Sequence, residues 1–538
     1  MPFFADHVFV NGQVITVNEY DGVYEAIAVK GNRILAVGSD DGIRSMIGRR
    51  TEVMDLRGRA LLPGFIDSHL HLVLHGTNRL GITCKFPEVK SIEDIKARVK
   101  AVADRVPPGT WIRGWGYDHT KLAEGRHPTR DDLDEVAPHH PVIIVRTCAH
   151  ISAVNSRALE LAGIGDDPPD PPGGRIERGP DGRPTGVLKE TAHMQMLKVA
   201  SFEARELREA ISVAAKELVS LGITSVHDAG GYGAVQFRAL QQTVEEGELP
   251  LRVYGMVFSL IDNLQFIEEF GKAGPVTGFG NKRLRIGPVK VMTDGSSSGP
   301  TAATREPYSS DPTDRGILYL ELEELTSIFR RFHAKGFQLT AHAVGDRAVE
   351  MVLDAFERVL SEDPRPHRHR IEHSAIMDPE LMDRMARLGV VPVAQPVFLY
   401  EFGDGYLRDY GERTRYMFPC RSLLDRDIPV AGSSDCPVTT PNPLIGLRTA
   451  LDRKTAGGRQ VAPEEGVSML EAVRMYTYNG AYASFEEDIK GSLEPGKLAD
   501  LVVLSQPLLG TPVEELGDIE VDLTMVGGRV VYESGRLG

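Results

Sequence analysis

Along residues 7–62 apolar and polar side chains alternate in short runs, HVFVNGQVITV, YEAIAVKGNRILAVG and TEVMDLRGRALLPG, broken at Gly and Asn. A period of two sends successive side chains to opposite faces, so these runs predict short antiparallel strands with one buried face. The far C-terminus repeats the pattern in ADLVVLS and LTMVGGRVVYESG. A small sheet with open edges gains stability by adding strands. The two chain ends are therefore expected to pair into one β-sandwich.

From about residue 204 the pattern changes. An amphipathic helical run, EARELREAISVAAKELVSLG, leads into seven apolar strand-like runs: ITSVHDA, LRVYGMVF, LRIGPVKVMTDG, FQLTAHAVG, HRIEHSA, VVPVAQP and IPVAGSSD. Strands alternating with helical or long connecting segments are the pattern of a parallel sheet with crossovers. Adding LLPGFIDSHLHLV at residues 61–73 makes eight strands, the number that closes a (β/α)8 TIM barrel. The roughly 130 residues between the first two strands far exceed an ordinary connection and require an inserted subdomain. Within it, IGDDPPDPPGGRIERGPDGRP predicts an exposed extended loop, neither helix nor strand. The expected fold class is α/β: sandwich over 1–62, first barrel strand over 63–74, an α/β insertion over 75–203, the remaining barrel over 204–484, and the second part of the sandwich over 485–538.

A chain of 538 residues is long enough for such a division. Its 76 acidic against 61 basic residues give a net charge of −15 without a long basic run, which argues against a nucleic-acid or anionic-membrane surface and leaves a small molecule as the expected partner. A homodimer remains open. The N-terminus shows no signal-peptide pattern, and no run of about 18 apolar residues occurs. The four cysteines, Cys84, Cys148, Cys420 and Cys436, are scattered and form no CxxC pair, so a reducing cytoplasm is the expected setting.

Chemistry enters at the strand ends. In FIDSHLHL, Asp67, His69 and His71 alternate with Ile66, Ser68 and Leu70, so both imidazoles share one face of a strand and can grip one metal. Lys290, His342, His373 and Asp435 fall at the ends of the fourth, fifth, sixth and eighth strands, the end at which TIM barrels build active sites. Burying such groups unpaired costs several kcal/mol each, so a shared metal is the economical reading. Gly295, Ser297 and Gly299 spell GxSxG after a strand, but Pro300 and the loop-like REPYSSDPTDRG do not feed a helix as a nucleophile elbow must. A barrel that only binds a ligand is the non-enzymatic alternative; competent residues at all six positions weigh against it.

With these residues in place, the chain resembles the amidohydrolase superfamily, in particular its YtcJ-like branch that includes N-substituted formamide deformylases. The resemblance rests on LPGFIDSHLHL, VKVMTDGSSSGP, AHAVGDRA, RIEHSAIMDP, GSSDCPV and GSLEPGKLADLVVL, and in the insertion on GWGYDHTKL, HPTRDDLD and RTCAHISAVNSRALE. It implies His69, His71, His342, His373 and Asp435 as metal ligands, with Lys290 as a carboxylated, metal-bridging lysine. It departs from the family at Cys148 and Ala149, where related sequences tend to have Asp-Gly. The expected cofactor is a pair of divalent ions, zinc first, with iron or manganese also suited to mixed N/O donors. The expected activity is hydrolysis of an amide, N-acyl or N-formyl bond by metal-activated water, with Asp435 as general base and acid and Lys290 as the other catalytic group. Ring deamination and ester hydrolysis are the alternatives at the same site. His150 and His227 are the next candidates for the base. Trp115, His150 and Gln395 are expected to contact substrate, the first two because the insertion leaves the barrel just after His71.

Overall fold

The computed structural model describes residues 4–537. Eight parallel strands form one sheet: β1 (Phe65–Leu70), β2 (Ile223–Asp228), β3 (Arg252–Val257), β4 (Leu284–Met292), β5 (Leu339–Ala343), β6 (Arg370–His373), β7 (Val391–Ala394) and β8 (Ala431–Gly432), hydrogen-bonded in sequence order. Every residue of β2 and β3 is buried, as parallel strands covered on both faces require. The ring closes between its last and first strands. Just beyond β8 the Asp435 N–H donates to the His69 carbonyl at 2.7 Å, and the His71 N–H donates to the Cys436 carbonyl at 2.8 Å.

Helices sheathe the barrel with one apolar stripe each. In Ala204–Ser220 the buried residues Leu207, Ala210, Ile211, Ala214 and Leu218 recur at helical spacing. Against this helix lies Leu72–Leu80, so closely that a Cβ on Gly76 would stand 2.0 Å from the Ala210 carbonyl oxygen.

Two sheets face each other at the chain ends. One orders strands Arg33–Gly38, Ala26–Lys30, His7–Val10 and Glu52–Asp55; the other orders Arg529–Glu533, Val521–Val526, Leu501–Leu504, Ala60–Pro63, Gln13–Ile15 and Val23–Tyr24. N- and C-terminal segments meet inside the second sheet, where Leu62 pairs with Val502 antiparallel. Phe9, Ile27 and Val29 from one sheet and Leu61, Leu501, Val503 and Leu523 from the other share one core.

Three sequence expectations are corrected. LLPGFIDSHLHLV is not one strand: Ala60–Pro63 belongs to the sandwich and Phe65–Leu70 to the barrel. They part at Gly64, where a Cβ would meet Thr224 at 2.1 Å. The boundary drawn between 74 and 75 falls inside helix Leu72–Leu80. The Pro/Gly-rich segment expected to be loop throughout contains the strand Gly174–Arg178, which pairs antiparallel with Pro184–Glu190. Its apolar Ile176, 5% exposed, packs with Leu188, and that burial outweighs the local turn preference. These two strands extend a mixed six-stranded sheet in the insertion. Among the described residues no helix is long and apolar enough to cross a membrane.

Sandwich and barrel are locked by a buried ion pair. Arg252 on β3 grips Asp500 through Nε–Oδ2 at 2.6 Å and Nη2–Oδ1 at 2.8 Å, and Asp500 also accepts the Gly527 N–H at 2.7 Å. Removing one partner strands the other charge out of water, which costs about 3–5 kcal/mol. Asp500→Ala is expected to lower unfolding stability by that amount in denaturant titration, and Arg252→Met combined with Asp500→Leu to recover most of it. A single variant as stable as the parent would show that the pair does not couple the two units.

Candidate metal centre

At the C-terminal mouth of the barrel the backbone places His69 at the end of β1 and His71 just past it, on the residue that precedes helix Leu72–Leu80. Lys290 lies within β4, His342 within β5 and His373 ends β6, while Asp435 sits three residues past β8. His373 and Asp435 both take left-handed backbone conformations, φ 75° and 56°. Such positions cost of order 1–3 kcal/mol and persist where surrounding structure over-determines them, commonly at functional sites.

Three ligand-type atoms meet. Asp435 Oδ1 lies 3.3 Å from His69 Nε2 and 3.4 Å from His71 Nε2, a group whose ligand atoms all lie within 4.8 Å of one another. The other nitrogen of each ring fixes what these atoms are. His69 Nδ1 stands 2.5 Å from Glu372 Oε2, and His71 Nδ1 stands 2.7 Å from the Gly230 carbonyl oxygen. Both neighbours are acceptors, so each Nδ1 carries the proton and each Nε2 keeps its lone pair. Three atoms that can each offer a lone pair therefore face one another, an arrangement that fits a cation, be it a metal ion or a proton shared between His69 Nε2 and Asp435. Carboxylate–imidazole support of this kind is characteristic of metal ligands.

The electrostatics agree. Burial and Lys290 both lower the His69 imidazole, yet Glu372 and Asp435 outweigh them and leave it raised, so the pocket favours positive charge there. Burial pushes the Asp435 carboxyl up, but its contacts with His69 and His71 overcome this and hold it well below the ordinary carboxylate range. Burial brings the Lys290 ammonium down to about 8 and His373 down to about 4.

His373 adjoins the trio, its ring centroid 5.0 Å from that of His69 and 4.5 Å from that of His342. Its Nδ1 faces Gln395 Oε1 at 2.9 Å, which leaves Nε2 free. His342 Nε2 lies 3.0 Å from the Gly295 carbonyl oxygen. Lys290 Nζ lies 3.4 Å from His69 Nε2 and 4.7 Å above the Phe258 ring. All six side chains line a cavity of about 400 Å³, and the insertion brings Trp115 and His150 to its wall.

Gln395 does not line that cavity. Its amide is spent on His373, the Val393 carbonyl and Ser433 Oγ, so it holds the His373 ring rather than lining the cavity, which corrects the expectation. His227 is also removed from the wall: it is fully buried inside the barrel, where its Nδ1 accepts from Arg370 at 2.9 Å. Ser297 Oγ pairs with the Tyr406 hydroxyl at 2.8 Å, and the next helix starts only at Leu322, so no nucleophile elbow forms. Ala149 has φ 62°, a conformation that suits the Gly of related sequences.

Sequence reasoning missed the groups behind the candidate ligands. Glu372 accepts from Thr340 Oγ1 at 2.6 Å and from Arg370 Nε at 2.9 Å, and Arg370 Nη2 also donates to the Ser68 carbonyl at 2.7 Å. Asp67 accepts the Ser434 hydroxyl at 2.5 Å, which ties β1 to the segment carrying Asp435. The signal for the first pair was present in RIEH: two residues apart on a strand, Arg370 and Glu372 share a face.

Comparison with known proteins places this geometry. The chain belongs to the amidohydrolase family, whose model matches residues 52–532. It is 31% identical to a putative amidohydrolase, YtcJ, of Bacillus subtilis (strain 168), covering 98% of this chain and 99% of that one. It is also 31% identical to an N-substituted formamide deformylase of Arthrobacter pascens, covering 98% of both. Among solved structures, an uncharacterized metal-dependent hydrolase from Pyrococcus horikoshii OT3 superposes with a TM-score of 0.79 at 27% identity, over 94% of this chain and 99% of that one. The protein is thus a metal-dependent hydrolase built on an α/β barrel.

Glu372→Gln keeps the volume but removes the charge that seats His69. It is expected to weaken divalent-metal affinity about 10–100-fold in chelator competition, with the far-UV spectrum unchanged. Unaltered affinity would show that Glu372 does not orient the ligand.

Proposed function

We propose that this protein hydrolyses the C–N bond of a small-molecule amide, an N-acyl or N-formyl amine, by metal-activated water. The observation that carries the reading is the convergence of His69 Nε2, His71 Nε2 and Asp435 Oδ1 beside an open cavity. A divalent ion bound there, zinc first and iron or manganese also suited, supplies a water of lowered pKa and polarises the carbonyl oxygen. Asp435 is ionised, buried and lines the cavity, so it takes the proton of the attacking water and returns it to the leaving nitrogen. The relative named for deformylating N-substituted formamides supports the amide class.

Lys290 fits a bridging role between two ions. An ammonium 3.4 Å from His69 Nε2 opposes the cation that nitrogen holds. Asp294 forms no ion pair with it among the described residues; its carboxylate instead accepts the backbone N–H groups of Ala303, Val344 and Gly345. The unprotonated amine forms a bond to the carbon of CO2 and loses a proton. The product would be a carbamate, an anionic oxygen donor that would help hold the ions, with the β1 histidines as donors to one and His342 and His373 as donors to the other.

Chelation is expected to abolish amide hydrolysis, and a single divalent metal to restore it, in a screen of N-formyl and N-acyl amines that also contains an ester and an aminopurine; turnover confined to the ester or the purine would replace the amide reading. Asp435→Asn is expected to lower kcat by about 100-fold or more while keeping the fold, and near-normal kcat would move the base to His150. For Lys290, elemental analysis is expected to give two metals per chain, and Lys290→Ala is expected to regain activity with added short carboxylates. One metal with an unmodified lysine at full activity would sink the bridge.

A further inference from the structure

The insertion gives the metal-site cavity a basic wall. Lys85, Lys121 and Arg146 line it, together with the carboxylates of Asp118 and Glu401. Arg146 is already committed: its Nη2 donates to Asp118 Oδ1 at 3.0 Å and its Nε to His119 Nδ1 at 3.2 Å, so that pair is internally neutral. Lys85 and Lys121 are both exposed, and among the described residues neither forms a salt bridge. Lys85 Nζ reaches the Pro437 carbonyl at 3.4 Å, and Lys121 Nζ lies 5.8 Å from the centre of the Phe86 ring. Pro437 and Phe86 are themselves wall residues, so both ammonium groups stand at the cavity. Each carries three donors, most of them left for whatever enters. Burial pushes the Glu401 carboxyl up, its Oε1 is held by the Thr440 N–H at 2.8 Å, and the two lysines only partly offset the shift. Two cations thus share one carboxylate.

The position of Lys85 is built rather than incidental. It follows the strand Ile82–Thr83, which pairs in parallel with Ile112–Tyr117, and the Cys84 N–H donates to the Trp115 carbonyl at 2.7 Å. Gly116 has φ 97°, and a Cβ there would stand 2.5 Å from Lys85 Cγ. The bare backbone at Gly116 lets the lysine stem lie against the strand and carry its ammonium to Pro437, two residues beyond Asp435. A stem packed in this way leaves a compact point charge at its tip. Excess charge of one sign in a cleft attracts ligands of the other sign.

We propose that the substrate carries a carboxylate, bound by Lys85 with Lys121 beside it, and that Lys85 is the residue that selects anionic over neutral amides. The kinetic test of this assignment rests on the amide-hydrolase reading; its binding test does not.

The kinetic readout is kcat/KM for formate release from an N-formyl amino acid divided by that from its neutral carboxamide, a quotient that loss of folded protein leaves unchanged. Three pairs set the carboxylate at different distances from the formyl group: N-formylglycine, N-formyl-β-alanine and N-formyl-4-aminobutyrate, each against its carboxamide. At least one pair is expected to favour the acid by about 10-fold or more. Lys85→Met keeps the stem without the charge and is expected to bring that preference close to one. Lys85→Glu is expected to invert it, a reversal that damage to the fold would not produce. Acid and carboxamide turned over alike in all three pairs, or a preference that persists in Lys85→Met, overturns the proposal.

Should no formamide turn over, the amide reading fails, and calorimetric titration of the metal-loaded protein with the same pairs decides the subsite. One acid is expected to bind saturably and about 10-fold or more tightly than its carboxamide, with the difference abolished in Lys85→Met. A carboxylate held by the metal alone would bind Lys85→Met as tightly as the parent. That result, or no saturable binding of any acid, overturns the proposal.

Discussion

The site exists because the barrel closes. Its first and last strands are separated by more than 350 residues, yet the Asp435 N–H reaches the His69 carbonyl and the Asp67 carboxylate holds Ser434. These bonds bring Asp435 Oδ1 to the two first-strand imidazoles. Eight strands at barrel curvature leave one such seam, and here the seam and the candidate metal centre coincide. Opening it would part the carboxylate from the two imidazoles and disperse the three atoms that face one another.

Below the seam a chain of charges runs into the barrel interior. His227 accepts from Arg370, Arg370 pairs with Glu372, and Glu372 holds His69. Arg370 and Glu372 are both fully buried. A buried pair of this kind gives little net stability over apolar side chains of the same volume, so its contribution is orientation. It fixes the tautomer of His69 and presents Nε2 to the cavity, and the same logic recurs where Gln395 seats His373 and the Gly230 carbonyl seats His71.

The insertion adds the cavity's outer wall. It leaves the barrel after the helix that follows His71 and returns through helix Ala204–Ser220, the two helices pressed together at Gly76. That close packing anchors a mixed six-stranded sheet over the mouth, so Trp115 and His150 reach the same space as the ligands. This part of the cavity wall is thereby carried by an element separate from the strands that bear the candidate metal ligands.

Much of the molecule was legible from sequence because its signals are local. Period-two alternation marked the terminal strands, β–helix alternation marked the barrel, and ligand-type residues after apolar runs marked His69, His71, Lys290, His342, His373 and Asp435. The split of residues 61–73 between two sheets was not legible, because Gly64 is demanded by Thr224, a contact across 160 residues. The strand Gly174–Arg178 was hidden by its Pro/Gly surroundings and exists because Ile176 finds Leu188. Gln395 was expected at the substrate and Glu372 was not singled out, and only packing decided that they hold His373 and His69. Sequence by itself determined the elements and the chemical inventory, since both depend on neighbours a few residues away. The tertiary structure alone decided which nitrogen of each histidine is free, which groups stand behind the ligands, and which side chains of the insertion reach the cavity, because these are set by contacts between strands and domains that no local pattern encodes.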